Sequence, residues 1–267
     1  MPSLSLGLSL RGQMLTGKSF SPTSLFLGGE KGFIYDVSNR DTLFTDTSGT
    51  TKVSAAGQAV ARVNDFSPNS ANLTQATGAS MPLYQVDGSG RPYLSFDGSN
   101  DWLQSGTLDY SAVSTFSLII GLYKASDAAV AFPVEFGTST TTVPGFAIRV
   151  PHGAATTVSA VHRGATFTVF STVVDVGAAP KSLVLSMTSN MTTPKLTFRT
   201  NGTSAADANS NPGGGAYGSA ALYVGRRNGA SNPFSGRIFG IIGVARILTA
   251  QEILMCETWM NSRTGAF

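Results

Sequence analysis

The sequence predicts an all-β chain folded as a two-sheet antiparallel sandwich, with a single helix near its C-terminus. Three observations carry that expectation. Charged residues make up only 12% of the chain, against roughly a quarter in ordinary domains, and serine, threonine, asparagine and glycine supply the polarity instead. That mixture is poor in helix formers and rich in β-branched and turn residues. Short apolar segments also recur about every ten residues with turn signals between them, the spacing of a sandwich. The 267 residues, 42% of them hydrophobic, suit one large β domain with a sizeable core and do not demand two.

In chain order, the first element is an alternation of Leu4, Leu6, Leu8 and Leu10 with Ser3, Ser5, Gly7 and Ser9. A strict period of two marks a strand with one buried face. It fits an edge strand of the domain's own sheet, or an arm that adds to the sheet of another subunit. The second reading divides the chain into an N-terminal arm, residues 1–27, with the four leucines as assembly anchor, and a domain over residues 28–267. Strands are then expected at 33–35, 42–44, 60–63, 73–76, 93–96 and 102–103. The series continues at 116–123, 130–136, 145–150, 157–162 and 166–174, then a hairpin of 182–188 with 195–200, then 220–225 and 237–245. Residues 209–215, N-S-N-P-G-G-G, read as loop. The helix begins after Thr249, which forms a capping box with Glu252. Ile253, Cys256 and Met260 share one face beside Trp259, and Gly265 suits a left-handed cap.

The same residues exclude several function classes. Net charge is +3 with the basic residues scattered and only Arg226 and Arg227 adjacent, whereas nucleic-acid binders gather Lys and Arg on one face. Cys256 stands alone, so neither a disulfide framework nor a cysteine zinc site is expected. It reads as a small buried hydrophobe. No apolar run reaches the length of a membrane helix, and the N-terminus lacks the pattern of a signal peptide, which predicts synthesis in a host cytoplasm. Glu30, Glu135, Glu252 and Glu257 are the only glutamates. Glycoside hydrolysis needs two carboxylates facing each other across the cleaved bond, and Glu135, the glutamate in a strand, has no acidic partner two to five residues away. His152 and His162 do not have zinc spacing, and no nucleophile elbow or phosphate-binding loop occurs. The chain is therefore expected to be no enzyme and to need no cofactor or metal.

One segment carries a resemblance. Residues 93–103, Y-L-S-F-D-G-S-N-D-W-L, resemble the F-D-G-x-x-D-x-L motif of concanavalin A-like and laminin G-like jelly rolls. Residues 221–225 and 234–253 are similar to that family's last strands and final helix, and 183–203 to its hairpin ending in an N-G turn. Residues 28–36, 42–46 and 75–77 resemble a lead-in found on such domains in bacteriophage and prophage proteins. The resemblance implies a jelly-roll domain and a non-enzymatic virion component on the particle exterior, a tail, fibre, spike or capsid-decorating protein that binds host-surface glycans. Its partners would be other virion proteins reached through the arm, further copies of itself and a surface polysaccharide, with no nucleic acid and no membrane insertion. The alternative is a structural decoration protein with no ligand; a glycoside hydrolase is the weaker third. Some family members hold calcium at the F-D-G turn, but Asp97 and Asp101 are few ligands for an ion that takes six to eight oxygens. Sugar binding uses aromatic rings for stacking and amide or charged groups for hydrogen bonds, held on loops. Asn209, Asn211, Tyr217, Arg226, Arg227, Asn228 and Asn232 have that chemistry and are the candidate glycan-binding residues.

Overall fold

A computed structural model describes residues 20–137, 144–164, 169–208 and 212–267. Within them the chain forms, in order, β1 (Gly32–Asp36), β2 (Leu43–Phe44), β3 (Arg62–Val63), β4 (Leu73–Thr74), β5 (Leu83–Val86), β6 (Pro92–Asp97), β7 (Leu103–Asp109) and β8 (Thr115–Lys124). There follow β9 (Val134–Phe136), β10 (Gly145–Arg149), β11 (Thr157–Arg163), β12 (Val169–Asp175), β13 (Lys181–Asn190), β14 (Lys195–Thr200), β15 (Thr203–Ala208), β16 (Ser219–Val224), β17 (Ser235–Val244) and the helix α1 (Ala250–Thr264). An eight-stranded sheet has the order β15-β14-β13-β8-β17-β6-β5, with β1 also paired to β17; a nine-stranded sheet has the order β12-β11-β10-β9-β16-β7-β4-β3-β2. All the ladders are antiparallel. The chain is the two-sheet antiparallel sandwich that its composition and spacing predict.

Alternation sorts the side chains. On β9, Val134 and Phe136 enter the core while Glu135 between them points out of it, as a period of two requires. The inner faces meet in an aromatic stack: Phe116 lies 4.4 Å from Phe146, Phe136 lies 5.3 Å from Phe146, and Tyr217 meets Phe146 edge-on at 5.5 Å.

The outer face of the eight-stranded sheet is covered by α1. Its capping box is present: Thr249 Oγ1 accepts from the Glu252 amide and Glu252 accepts from the Thr249 amide, and Gly265 closes the helix at φ 60°. Cys256 and Met260 are buried on Ile119, Val184 and Ile242, with Ile253 and Trp259 partly buried beside them. Gly121 and Gly240 pair across β8 and β17, and a Cβ on Gly121 would strike Met260. The absence of side chains there lets the helix sit close to the sheet. Arginines then clamp it in place. Arg199 of β14 donates twice to the buried Glu257, at 2.8 and 2.9 Å, Arg263 donates twice to Asp36 of β1, at 3.0 and 2.9 Å, and Arg246 pairs with Glu252 at 2.7 Å. Glu257 was not legible as a core residue, because a lone acid in a helix reads as a solvated face.

Burial pushes the Cys256 thiol up to about 12. Since the thiolate is the reactive form, Cys256 should label with thiol reagents orders of magnitude more slowly in native protein than in denaturant. Rapid native labelling would show that the packing of α1 is wrong.

Some boundaries differ from expectation. Only 134–136 of the expected strand 130–136 pairs; the preceding residues form a loop that carries Phe132 over the nine-stranded sheet. The expected 73–76 shortens to two residues, and 102–103 belongs to a strand that continues to Asp109. β5 and β15 are edge strands that the sequence does not announce. β5 buries only Tyr84, and β15 contains three alanines and an aspartate, which strands disfavour. Each is held by the ladder of its neighbour. Leu25 and Phe26, in the 3-10 turn Pro22–Phe26, are buried in the cluster under α1, so the segment drawn as arm to residue 27 is already part of the domain there. Leu4, Leu6, Leu8 and Leu10 lie outside the described residues.

Candidate functional site

The outer face of the nine-stranded sheet carries a buried charge cluster. Glu135 is its centre. In register, Glu135 sits between Ala147 of β10 and Tyr223 of β16. Arg149 lies two residues along β10 from Ala147 and is opposite Ser159 of β11. Arg163 is opposite Gly145, and a Cβ on that glycine would approach the Arg163 guanidinium at 3.4 Å. Arg227 reaches over from the hairpin between β16 and β17 and places Nε 3.5 Å from Glu135 Oε1.

Phe132 supplies the apolar part. It is buried on Ala147 and Val161, and two guanidiniums lie over its ring, Arg227 at 5.0 Å and Arg149 at 5.6 Å from the centroid. Such contacts contribute roughly 0.5–2 kcal/mol each, depending on desolvation. Tyr223 continues the surface to Trp102, 6.1 Å away. Arg149 also approaches His152 Nδ1 at 3.4 Å, and Ser159 approaches the same nitrogen at 3.1 Å.

Glu135 is 1% exposed, and neither of its oxygens has a well-formed hydrogen bond among the described residues. Burial pushes its carboxyl above the ordinary range, while Arg227, Arg163, the Asn228 amide and Arg149 pull the other way. Burial and then Arg227 lower Arg149. Burial also lowers Arg163, opposed by Glu135, with Arg227 and Arg149 adding their repulsion. Three guanidiniums therefore surround one carboxylate and repel one another across it.

The candidates read from sequence divide. Arg227 is in the cluster, and Asn228 is exposed beside it at φ 49°, in the turn that aims Arg227. Arg226 donates to Ala230 O within the same hairpin at 2.7 Å. Asn232 holds the Phe132 loop, its carbonyl accepting from the Phe132 amide at 3.2 Å and its side chain donating to Val130 O at 3.3 Å. It also lines a cleft of about 280 Å³ with Ala131, Val150 and Pro151. Tyr217 is a correction. Its ring is buried in the aromatic stack, and its hydroxyl donates to Ser189 inside the sandwich, so it offers no stacking platform. Asn209 and Asn211 lie outside the described residues. Sequence reasoning missed Glu135, Arg149 and Arg163 as a group. The signal was present, since each is the lone full charge at an outward position of its strand, but strand order is needed to bring them together.

The F-D-G turn is occupied by its own bonds. Asp97 Oδ1 accepts from the Ser99 and Asn100 amides, and Asp101 accepts from the Asp97 amide. Burial, then the nearby Asp97 charge, raises Asp101 to about 6, against the pull of that amide bond. Gly98, at φ 79°, faces Ser235 and takes a conformation that other residues adopt at a cost. Among the described residues, no three His, Cys, Asp or Glu side chains converge as metal ligands.

No protein-family model and no curated protein sequence matches the chain. Solved structures do. The chain is similar to the binding domain of botulinum neurotoxin serotype G, at TM-score 0.58 and 10% identity, covering 75% of this chain and 49% of that one. It is similar to the serotype D binding domain at TM-score 0.58 and 12% identity, covering 76% and 49%. A serotype D ligand-binding domain solved in complex with N-acetylneuraminic acid matches at TM-score 0.57 and 10% identity, covering 76% and 48%. The chain spans about half the length of these domains. At such identities the likeness shows the fold.

Proposed function

We propose that this protein is a non-enzymatic, glycan-binding structural component of a virion exterior, and that the Glu135–Arg149–Arg163–Arg227 cluster with Phe132 is its binding site. The carrying observation is that cluster: guanidinium donors on one face of a sheet, with the partly exposed Trp102 ring reached through Tyr223, a combination suited to holding a sugar. Similar folds described as binding domains, one of them in complex with N-acetylneuraminic acid, support the reading. The Leu4, Leu6, Leu8 and Leu10 segment is the anchor to other virion proteins or to further copies of the chain. In that role the protein is made in the host cytoplasm and resides in the virion, as a tail, fibre, spike or capsid decoration.

The test is a glycan array probed with the purified chain, alongside a reducing-end assay on bacterial polysaccharides. Binding to a defined glycan set with no release of reducing ends is expected. Reproducible release, lost in Glu135→Gln, would overturn the non-enzymatic part. An array without signal, together with particles that fail to assemble when the protein is missing, would favour the ligand-free decoration protein instead.

A further inference from the structure

We infer that the ligand of this face is an acidic saccharide, whose ring-borne oxyanion is held by Arg149 and Arg227. The inference rests on the glycan-binding reading and names the ligand class.

Three observations carry it. The first is charge. Arg149, Arg163 and Arg227 all act on Glu135, so the cluster has three positive groups and one negative, in a chain where charged residues are only 12%. Like charges brought together at a partly desolvated surface disfavour folding, and an incoming anion relieves that repulsion. The second is donor capacity. Arg149 Nε is buried with no hydrogen-bond partner among the described residues, and the Arg227 contact to Glu135 is long, at 3.5 Å, with about a quarter (24%) of its side chain still in solvent. A guanidinium matches a planar carboxylate in a two-pronged fork, and it takes a sulfate through the same donors. The third is the neighbouring apolar surface. Both guanidiniums lie over the ring of Phe132, which is itself buried, and the buried Tyr223 leads from Glu135 to the partly exposed ring of Trp102. A pyranose ring that bears an oxyanion presents C–H groups and charge within one residue, which matches that juxtaposition. The cluster is compact and the remaining basic residues are scattered, which disfavours a polyphosphate backbone.

The experiment measures binding of the purified chain to alginate and polysialic acid as carboxylated probes, dextran sulfate as the sulfated probe, dextran as the neutral one, and duplex DNA. Each is titrated at low and at physiological salt. Carboxylated probes should bind, and weaken as salt screens the pairs. Arg227→Gln and Arg149→Gln should each lose about tenfold or more in affinity, the size expected of one charge-assisted pair. Glu135→Gln, which makes the cluster more positive, should bind several-fold tighter; its folding is checked by its melting temperature. That opposite sign separates direct participation from a merely structural role. Dextran sulfate binding that is also lost in Arg227→Gln would support the shared oxyanion chemistry and set the preference between its two forms. If dextran binds as well as alginate and the arginine variants are unaffected, the acidic assignment fails while glycan binding stands. Stronger capture of DNA than of any saccharide would overturn the inference. Binding to none of the saccharides, these or others, would overturn both readings.

Discussion

Replacing Arg199 by methionine is expected to destabilise the protein by about 3–5 kcal/mol, the range for removing one partner of a buried ion pair. Glu257 is 1% exposed and receives two hydrogen bonds from Arg199, at 2.8 and 2.9 Å. Without the guanidinium, its carboxylate stays under α1 with no compensating charge. Arg199 also donates to Gly202 O at 2.6 Å, so the turn between β14 and β15 loosens as well. Denaturant melts of the single variant and of Arg199→Met with Glu257→Leu decide the mechanism. The double variant should recover most of the loss, because replacing both partners removes the stranded charge. A double variant as unstable as the single one would mean that Arg199 acts through packing.

The second large effect is on acid stability and comes from His162. This residue is buried between the sheets, its Nδ1 2.8 Å from Ser189 Oγ, which in turn accepts from the Tyr217 hydroxyl at 2.5 Å. Nε2 has no hydrogen-bond partner among the described residues. Desolvation lowers His162 from 6.5 to about 4. With the folded value depressed, the unfolded chain binds a proton first, so stability is fully present above pH 6.5 and is lost as pH falls through about 4. The loss across that window is about 3 kcal/mol for this one group. Asp101, raised to about 6, works in the opposite direction and masks part of the slope. The comparison is therefore between wild type and His162→Gln, by denaturant melts at several pH values. The variant should lose much less stability than wild type between pH 6.5 and 4. Parallel losses would show that His162 is not the titrating group.

Legibility followed the range of the interaction. Local rules found α1 to the residue: Thr249, Glu252 and Gly265 act within a turn or two of the backbone, and all three were found in their expected roles. Strands with strong apolar character, such as β8 and β17, were equally plain. Edge strands β5 and β15 were not, since their pairing comes from the neighbouring strand. Tyr217 shows the limit of composition. In a segment rich in asparagine and glycine it reads as a loop aromatic, but its neighbours are Phe116 and Phe146, which lie 101 and 71 residues earlier in the chain.

The sequence by itself determined the fold class and the C-terminal helix, because alternation and capping are local properties. Only the tertiary structure decided where the charges meet. Glu135, Arg149, Arg163 and Arg227 come from three strands and a hairpin, and Phe132 from a loop that sequence reasoning had counted as strand. The order β11-β10-β9-β16 brings the three strands together, and that order depends on long-range pairing that no single segment encodes.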